Sequence, residues 1–161
     1  MTKVLSRANA IIARVLEVVT AIILVYMVAL VFGNVVGRYF FHRAITWADE
    51  VARFSFVWLT FTGTALGVYR GAHIGMDILT SNVPDRTREA FRIAGFVLIL
   101  VFLMVWARWG VRMAYLNRRF IGSGSGIPLS VVYGIAPAMA IVMILQHLVL
   151  LIEAIRSFLR R

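Results

Sequence analysis

Four long runs of apolar residues constrain this chain more than any other feature of its sequence. They cover residues 18–36, 54–69, 93–107 and 127–152, and no Lys, Arg, Asp or Glu interrupts them. A helix needs about 20 mostly apolar residues to cross the hydrocarbon core of a bilayer. Each run reaches or approaches that length. The sequence therefore predicts an all-α integral membrane protein, whose four transmembrane helices form one tilted bundle over residues 1–161.

The composition excludes several other classes of protein. Charged residues make up 15% of the chain, against about 25% in an average soluble domain. The net charge of +10 matches the Lys and Arg that flank membrane spans. The connections are too short for a soluble domain that would bind nucleic acid, so we expect lipid and no nucleic acid as partners. Cys is absent, which excludes disulfides and thiolate metal sites.

An even number of spans places both termini on one side of the membrane. The two terminal segments and the connection between the second and third spans together carry ten Lys and Arg residues, against seven on the other side. Because cytoplasmic loops are enriched in Lys and Arg, this distribution predicts that both termini lie in the cytoplasm.

Two interpretations are open for residues 3–17. Lys3, Arg7 and Arg14 fall on one stripe at helical spacing, with apolar residues opposite. This pattern is typical of an N-terminal amphipathic segment that lies on the membrane surface before the chain turns inward. The alternative is a plain extension of the first transmembrane helix. We favour the surface helix, and we expect the first apolar run to remain as an anchor, because it is too long for a signal sequence.

The second span has the clearest start. Thr46 has the position of an N-cap, and Asp49 follows three residues later, as in a capping box. Trp47 suits the aromatic belt at a membrane interface. We therefore predict a span over residues 47–69, together with spans over residues 18–36, 93–115 and 128–152.

Charged residues crowd the start of this second span. Its charge-free part, residues 54–69, covers only about 24 Å at 1.5 Å per residue, whereas the hydrocarbon core is about 30 Å thick. Asp49, Glu50 and Arg53 are therefore expected at the membrane border. Asp49 and Arg53 are four residues apart with the acid first, which favours an ion pair between them.

Glycines recur at a spacing that suits close helix packing. Gly33 and Gly37 flank Asn34 near the end of the first span, and Arg38 follows at the interface. In and after the second span a glycine stands at every fourth position, at Gly63, Gly67, Gly71 and Gly75. Small residues four apart let another backbone approach. The alternative is the ordinary glycine enrichment of membrane helices.

The spans lack the acidic and histidine residues that catalysis, proton transport or haem binding would require. The acids near them, Glu17, Asp49, Glu50 and Glu153, all lie at span edges, and only His147 lies within a span. We interpret His147 as a packed or interfacial histidine. The sequence thus predicts no catalytic centre, no cofactor and no metal site. The charges around residues 34–77 either tie the first two helices together or contact a larger partner within the membrane.

The order of the motifs in this stretch is similar to one family. Residues 34–39 are NVVGRY and residues 47–50 are WADE, followed by Arg53, then by Phe56, Val57 and Trp58, and by Gly63, Arg70, His73, Ile74 and Asp77. A weaker match comprises Gly126, Ile127, Pro128, Tyr133 and Pro137. The chain resembles the small membrane subunit of tripartite ATP-independent periplasmic (TRAP) transporters, the DctQ-like family. Asp49 stands where that family commonly has a second Glu.

The resemblance implies a scaffold in a sodium-coupled secondary transporter. Such a small permease subunit lies in the bacterial inner membrane and braces a large multi-helix permease subunit, which carries the substrate and sodium sites. A periplasmic substrate-binding protein captures the substrate, often a carboxylate. On this basis Trp47, Glu50 and Arg53 order the periplasmic end of the second helix, and Arg70, His73 and Asp77 order its cytoplasmic end.

The candidate residues are therefore structural or partner-facing rather than catalytic. They are Asn34, Arg38, Trp47, Asp49, Glu50, Arg53, Trp58, Gly63, Gly67, Arg70, His73 and Asp77. Two other functions compete with the scaffold. One is a self-sufficient small homo-oligomeric transporter or channel, which the lack of a mid-span acid disfavours. The other is a redox subunit that anchors haem, which a single His within the spans disfavours.

Overall fold

The computed structural model describes residues 2–70 and 85–159, and helices make up most of this part of the chain. In chain order they are α1 (Thr2–Phe40), α2 (Ala48–Tyr69), α3 (Asp85–Leu116) and α4 (Leu129–Leu159). All four are long and apolar enough to cross a membrane. The structure thus confirms the prediction of an all-α protein with four membrane-spanning helices.

Helix α1 contains both the amphipathic segment and the first span. It runs without interruption for 39 residues, a length of about 58 Å. Residues 3–32 contain no Gly or Pro that would break its backbone hydrogen bonds. Leu16, at the end of the amphipathic segment, is buried in the core of the bundle. The favoured prediction of a separate surface helix is therefore wrong, and the segment is a plain extension of α1.

The helices pack in the spatial order α1, α2, α4, α3. Helix α2 lies along α1, α4 packs against α2, and α3 packs along α4. One apolar cluster joins all four through Leu16, Ala65, Leu103 and Met143, one from each helix. Many other large apolar side chains of α1 and α3 lie exposed on the outside of the bundle. This distribution is expected for helices whose outer surfaces face lipid.

A glycine lets α3 and α4 approach closely. A Cβ atom on Gly110 would lie 3.0 Å from Cδ of Pro137, and Pro137 is buried. Helix α4 continues through Pro137 although proline lacks the backbone N–H donor. Gly110 lies outside the repeated glycine spacing, so its role could not be predicted from that pattern.

Two of the selected glycines, Gly33 and Gly63, do not pack closely against another helix of this chain. A Cβ atom on Gly33 or Gly63 would meet nothing within 4 Å. A Cβ atom on Gly37 would lie 3.0 Å from the carbonyl oxygen of Arg43, in the connection that follows α1. Gly71 and Gly75 lie outside the described residues. Gly33 and Gly63 are thus open to lipid or to another protein.

Candidate functional site

A buried amide joins α1 to the start of α2. Asn34 is only 6% exposed, and its Nδ2 donates to Oδ1 of Asp49 at 2.9 Å. Its Oδ1 accepts a hydrogen bond from the backbone N–H of Ile45 at 2.8 Å. Because both ends of the amide are used, its burial leaves neither the amide nitrogen nor the amide oxygen unsatisfied. Asn34 therefore fixes the connection between the two helices as well as the first turn of α2.

The chain reverses tightly between α1 and α2. The carbonyl oxygen of Gly37 accepts hydrogen bonds from the backbone N–H groups of Phe41 at 3.2 Å and Arg43 at 3.0 Å. His42 adopts a left-handed backbone conformation with φ of 54°, which few non-glycine residues tolerate. This reversal brings residues 45–50 back to the end of α1, where Asn34 can reach them.

Glu50 couples the start of α2 to the connection between α3 and α4. Its Oε2 accepts hydrogen bonds from the backbone N–H groups of Gly124 at 3.0 Å and Ser125 at 2.7 Å. Backbone donors in a short loop form a favourable environment for a carboxylate. The carboxylate therefore ties the first turn of α2 to a connection that lies more than 70 residues later in the sequence.

The glycines of the connection between α3 and α4 are required by its geometry. A Cβ atom on Gly122 would lie 2.7 Å from Oε2 of Glu50, closer than real Cβ atoms come to other heavy atoms. A Cβ atom on Gly124 would lie 3.3 Å from the carbonyl oxygen of Thr46. Gly126 has a φ of 70°, a conformation that suits glycine. The repeated Gly and Ser of residues 122–126 thus let the backbone wrap against the start of α2.

Two expectations for the start of α2 are wrong. The N-cap residue is Trp47, with no side-chain capping bond, rather than Thr46. Asp49 does not pair with Arg53, since the ion pairs within residues 2–70 and 85–159 involve neither residue. The carboxylate of Asp49 bonds to Asn34 instead. Asp49 thus bonds to the neutral, buried amide of Asn34 instead of the Arg53 cation one turn along α2.

A second clamp joins the opposite ends of the same two helices. Nη2 of Arg70, directly after α2, lies 2.9 Å from Oε1 of Glu17 on α1. Both side chains are substantially exposed. His73 and Asp77, which were expected to act with Arg70, lie outside the described residues. Glu17 was expected only as an acid at a span edge, because no local spacing links residues so far apart in the chain.

The other described candidates lie around these clamps. The guanidinium carbon of Arg38 is 5.3 Å from the ring centroid of Tyr39. Trp47 is 41% exposed, as suits an aromatic side chain at the interface. Trp58 is half-buried and lines an apolar cavity of about 280 Å³ between α1, α2 and α4. Arg53 is exposed, and Gly67 is half-buried.

Two polar side chains of α4 take part in its packing against α3. His147 is 1% exposed, and its Nδ1 donates to the carbonyl oxygen of Met143 at 2.8 Å. Its ring lies edge-on to Phe96, so it is a packed histidine. The hydroxyl of Ser157 donates to Oε1 of Glu89 at 3.2 Å. The Glu89–Ser157 pair could not be predicted from local spacing, because the two residues come from different helices.

The polar groups around α2 thus serve to hold the chain together. Asp49 and Glu50 accept hydrogen bonds from other segments, and Arg70 pairs with Glu17. Within the part of the chain that the structure describes, no group of three His, Cys, Asp or Glu residues is placed to bind a metal ion. The contacts of Asp49, Glu50 and Arg70 therefore hold the helices and their connections in place.

Comparison with known proteins gives consistent matches. The family model of the DctQ component of tripartite ATP-independent periplasmic transporters matches residues 27–157. The C4-dicarboxylate TRAP transporter small permease protein DctQ of Vibrio cholerae is 32% identical over 105 residues, which are 64% of this chain and 45% of that protein. A putative TRAP transporter small permease protein of Haemophilus influenzae is 29% identical over 122 residues, 74% of each chain.

A longer match covers almost the whole chain. The ectoine TRAP transporter small permease protein TeaB of Halomonas elongata is 24% identical over 157 residues, which are 96% of this chain and 81% of that protein. The matched part is thus most of the Halomonas relative, but less than half the length of the Vibrio relative.

Proposed function

This chain belongs to the family of DctQ components of tripartite ATP-independent periplasmic transporters, and from this membership we propose that it braces a large permease subunit in the membrane. Its partners in the assembled system are that multi-helix subunit and a periplasmic substrate-binding protein. The chain itself supplies a scaffold and no substrate site.

The observation that carries this proposal is the double clamp on α2. Asn34 bonds Asp49 at one end of the α1–α2 pair, and Glu17 pairs with Arg70 at the other. Asp49 and Arg70 are about 31 Å apart along the helix at 1.5 Å per residue, which is close to the thickness of the hydrocarbon core. Contacts near both borders therefore set how α2 lies along α1, with the buried Asn34–Asp49 bond as the stronger and the exposed Glu17–Arg70 pair as the weaker of the two.

The outer face of α2 is the surface that we propose for the large subunit. Arg53, Thr60 and Thr64 are exposed there, and Gly63 has open space around it. Thr62 and Ala65, on the opposite face, are buried within the bundle. Phe56 on the same face is 60% exposed. A membrane helix whose outer face combines Arg, Thr and Gly with an exposed aromatic side chain is typical of contact with another protein.

Sodium coupling and a carboxylate substrate complete the proposal. The family resemblance supports the sodium gradient as driving force. The names of two relatives support the substrate class, since C4-dicarboxylates and ectoine both contain a carboxylate. Substrate choice then lies with the binding protein and the large subunit, so substitutions in this chain change the amount of assembled transporter and not its selectivity.

We place the chain in the bacterial inner membrane with both termini in the cytoplasm, which the distribution of Lys and Arg supports. The chain contains no Cys, so single cysteines report orientation without background labelling. In intact cells a membrane-impermeant maleimide should label Ser123→Cys and leave Arg156→Cys unlabelled until the membrane is permeabilised. The reverse pattern would overturn the orientation.

Reconstitution tests the function itself. Proteoliposomes with this chain, its partner large permease subunit and the cognate binding protein should take up substrate under an inward sodium gradient. Liposomes with this chain alone should take up none. Uptake by this chain alone, abolished by Asp49→Asn or Glu50→Gln, would instead establish the self-sufficient transporter and end the scaffold proposal.

A further inference from the structure

One side of α3 is exposed and changes from apolar to basic near the end of the helix. Leu98, Val101 and Met104 are 71%, 49% and 54% exposed. At 100° per residue they share this side with Arg108 and Arg112, which are also exposed. The opposite side of the helix, with Leu103 and Gly110, is buried against α4.

The spacing of charges along α3 sets the depth of these two arginines. Arg92 and Arg108 are about 24 Å apart along the helix, and Arg92 and Arg112 are about 30 Å apart. Because the hydrocarbon core is about 30 Å thick, Arg112 reaches the far border when Arg92 lies at the near one. Arg108 lies one turn deeper, and its long side chain extends towards the same border.

Aromatic rings hold two guanidinium groups at this end of α3. The guanidinium carbon of Arg112 is 5.2 Å from the ring centroid of Trp109. That of Arg118, two residues after the end of the helix, is 3.9 Å from the ring centroid of Tyr115. A guanidinium stacked on a ring keeps the N–H donors along its edge available for a phosphate oxygen. Stacking also lowers the side-chain entropy that is lost when an anion binds.

Acidic residues do not neutralise this end of α3. Residues 90–152 contain no Asp or Glu. The acids at the same end of the bundle, Asp49 and Glu50, already accept hydrogen bonds from Asn34 and from the Gly124–Ser125 backbone. The surface therefore has an excess of positive charge at the depth where lipid phosphates lie.

The neighbouring residues favour lipid over protein as the occupant. The stripe below the arginines consists of Leu, Val and Met and contains no small residue that would let another backbone approach, in contrast to the outer face of α2. Trp109 and Tyr115 are 55% and 60% exposed, as is typical of the aromatic belt in contact with headgroups.

We propose that Arg108, Arg112 and Arg118 form a binding site for the phosphate headgroup of an anionic phospholipid, with Trp109 and Tyr115 orienting two of the guanidinium groups. The acyl chains of this lipid lie along the stripe from Leu98 to Val105. The site requires only that the chain is embedded in a membrane and is independent of transport.

Native mass spectrometry of the full chain tests the site. Phosphatidylglycerol and phosphatidylcholine with the same acyl chains are added in turn, and the bound lipids are counted. We expect the wild-type protein to prefer phosphatidylglycerol. Arg112→Gln and Arg118→Gln should each weaken that preference roughly fivefold, and together by more than tenfold. Arg156→Gln, a matched loss of one exposed arginine at the other end of the bundle, should leave the preference unchanged.

Helix content by circular dichroism and elution volume show whether each variant is folded. If a Gln variant unfolds, Arg112→Lys replaces it, and this variant should retain part of the preference because it keeps the charge. An unchanged preference in the folded double variant, or an equal loss in Arg156→Gln, would overturn the proposal. Retained lipid preference with loss of the large permease subunit on co-purification would also overturn it, because the occupant would then be a protein.

Discussion

The amide of Asn34 donates a hydrogen bond from Nδ2 to Oδ1 of Asp49 at 2.9 Å, which joins α1 to the first turn of α2. The same amide accepts the backbone N–H of Ile45. A carboxylate near the membrane border is thereby satisfied by a buried neutral group. Together with Glu50 on the Gly124–Ser125 backbone, this contact makes one connected unit of α1, α2 and the α3–α4 connection.

Replacing the buried amide should destabilise the protein. Asn34→Leu keeps a similar volume but leaves the Asp49 carboxylate and the Ile45 N–H without this partner. We expect the free energy of unfolding to fall by about 2–4 kcal/mol, measured by denaturant titration in detergent micelles. The matched control is Asn117→Leu, which removes an exposed amide that donates to the Met113 carbonyl oxygen. A similar loss in both variants would contradict a special role for Asn34.

Removing the Glu50 carboxylate should free the loop that it holds. In Glu50→Ala the backbone N–H groups of Gly124 and Ser125 lose their acceptor, so their hydrogen exchange should become at least about tenfold faster. Glu50→Gln should show a smaller increase, because its side-chain oxygen still accepts. Arg53→Gln removes a neighbouring charge but leaves the Glu50 carboxylate in place, and it serves as control. Unchanged exchange in Glu50→Ala would show that the loop is held by other contacts.

Adding a methyl group should have opposite effects on the free energy of unfolding at two glycines. At Gly122 the new Cβ would lie 2.7 Å from the Glu50 carboxylate, so Gly122→Ala should lower the unfolding free energy by about 1–3 kcal/mol. At Gly33 nothing lies within 4 Å, and Gly33→Ala should raise it by up to about 1 kcal/mol through higher helix propensity. Thermal unfolding of the isolated chain measures both. Destabilisation by both substitutions would refute the open space at Gly33.

The Glu17–Arg70 ion pair should contribute little to the stability of the isolated chain. The side chains of Arg70 and Glu17 are 62% and 44% exposed, and exposed pairs are worth at most about 1 kcal/mol. A double-mutant cycle of Glu17→Gln and Arg70→Gln measures the coupling, which should decrease as salt is added. A coupling above about 2 kcal/mol would show that the pair is shielded from water.

The number and type of helices follow directly from the sequence. Long charge-free runs have few folded states open to them in lipid, because every backbone N–H and C=O must be paired within a helix or a closed barrel. The start of α2 near Trp47 was likewise predictable, since Ala48 begins the helix. The continuity of α1 could have been recognised from the absence of Gly and Pro in residues 3–32.

The partners of the charged residues could not be predicted in the same way. Sequence spacing reveals contacts within one helix, and it suggested Asp49 with Arg53. The contacts that form, such as Asn34 with Asp49, Glu50 with Ser125 and Arg70 with Glu17, join residues 15, 75 and 53 positions apart. They depend on how the helices are arranged, which hydrophobic patterning alone leaves open.

The central claim is that this chain is a brace that meets a large permease subunit through the outer face of α2. Co-purification tests it most directly, with an affinity tag on this chain and the large subunit co-expressed. Wild-type protein and Val101→Phe, which adds bulk on the exposed side of α3, should retain the large subunit equally. Gly63→Leu should lose most of it while the isolated chain keeps its unfolding free energy. Equal retention by all three proteins would contradict the proposed face, and no retention by the wild-type protein would contradict the brace itself.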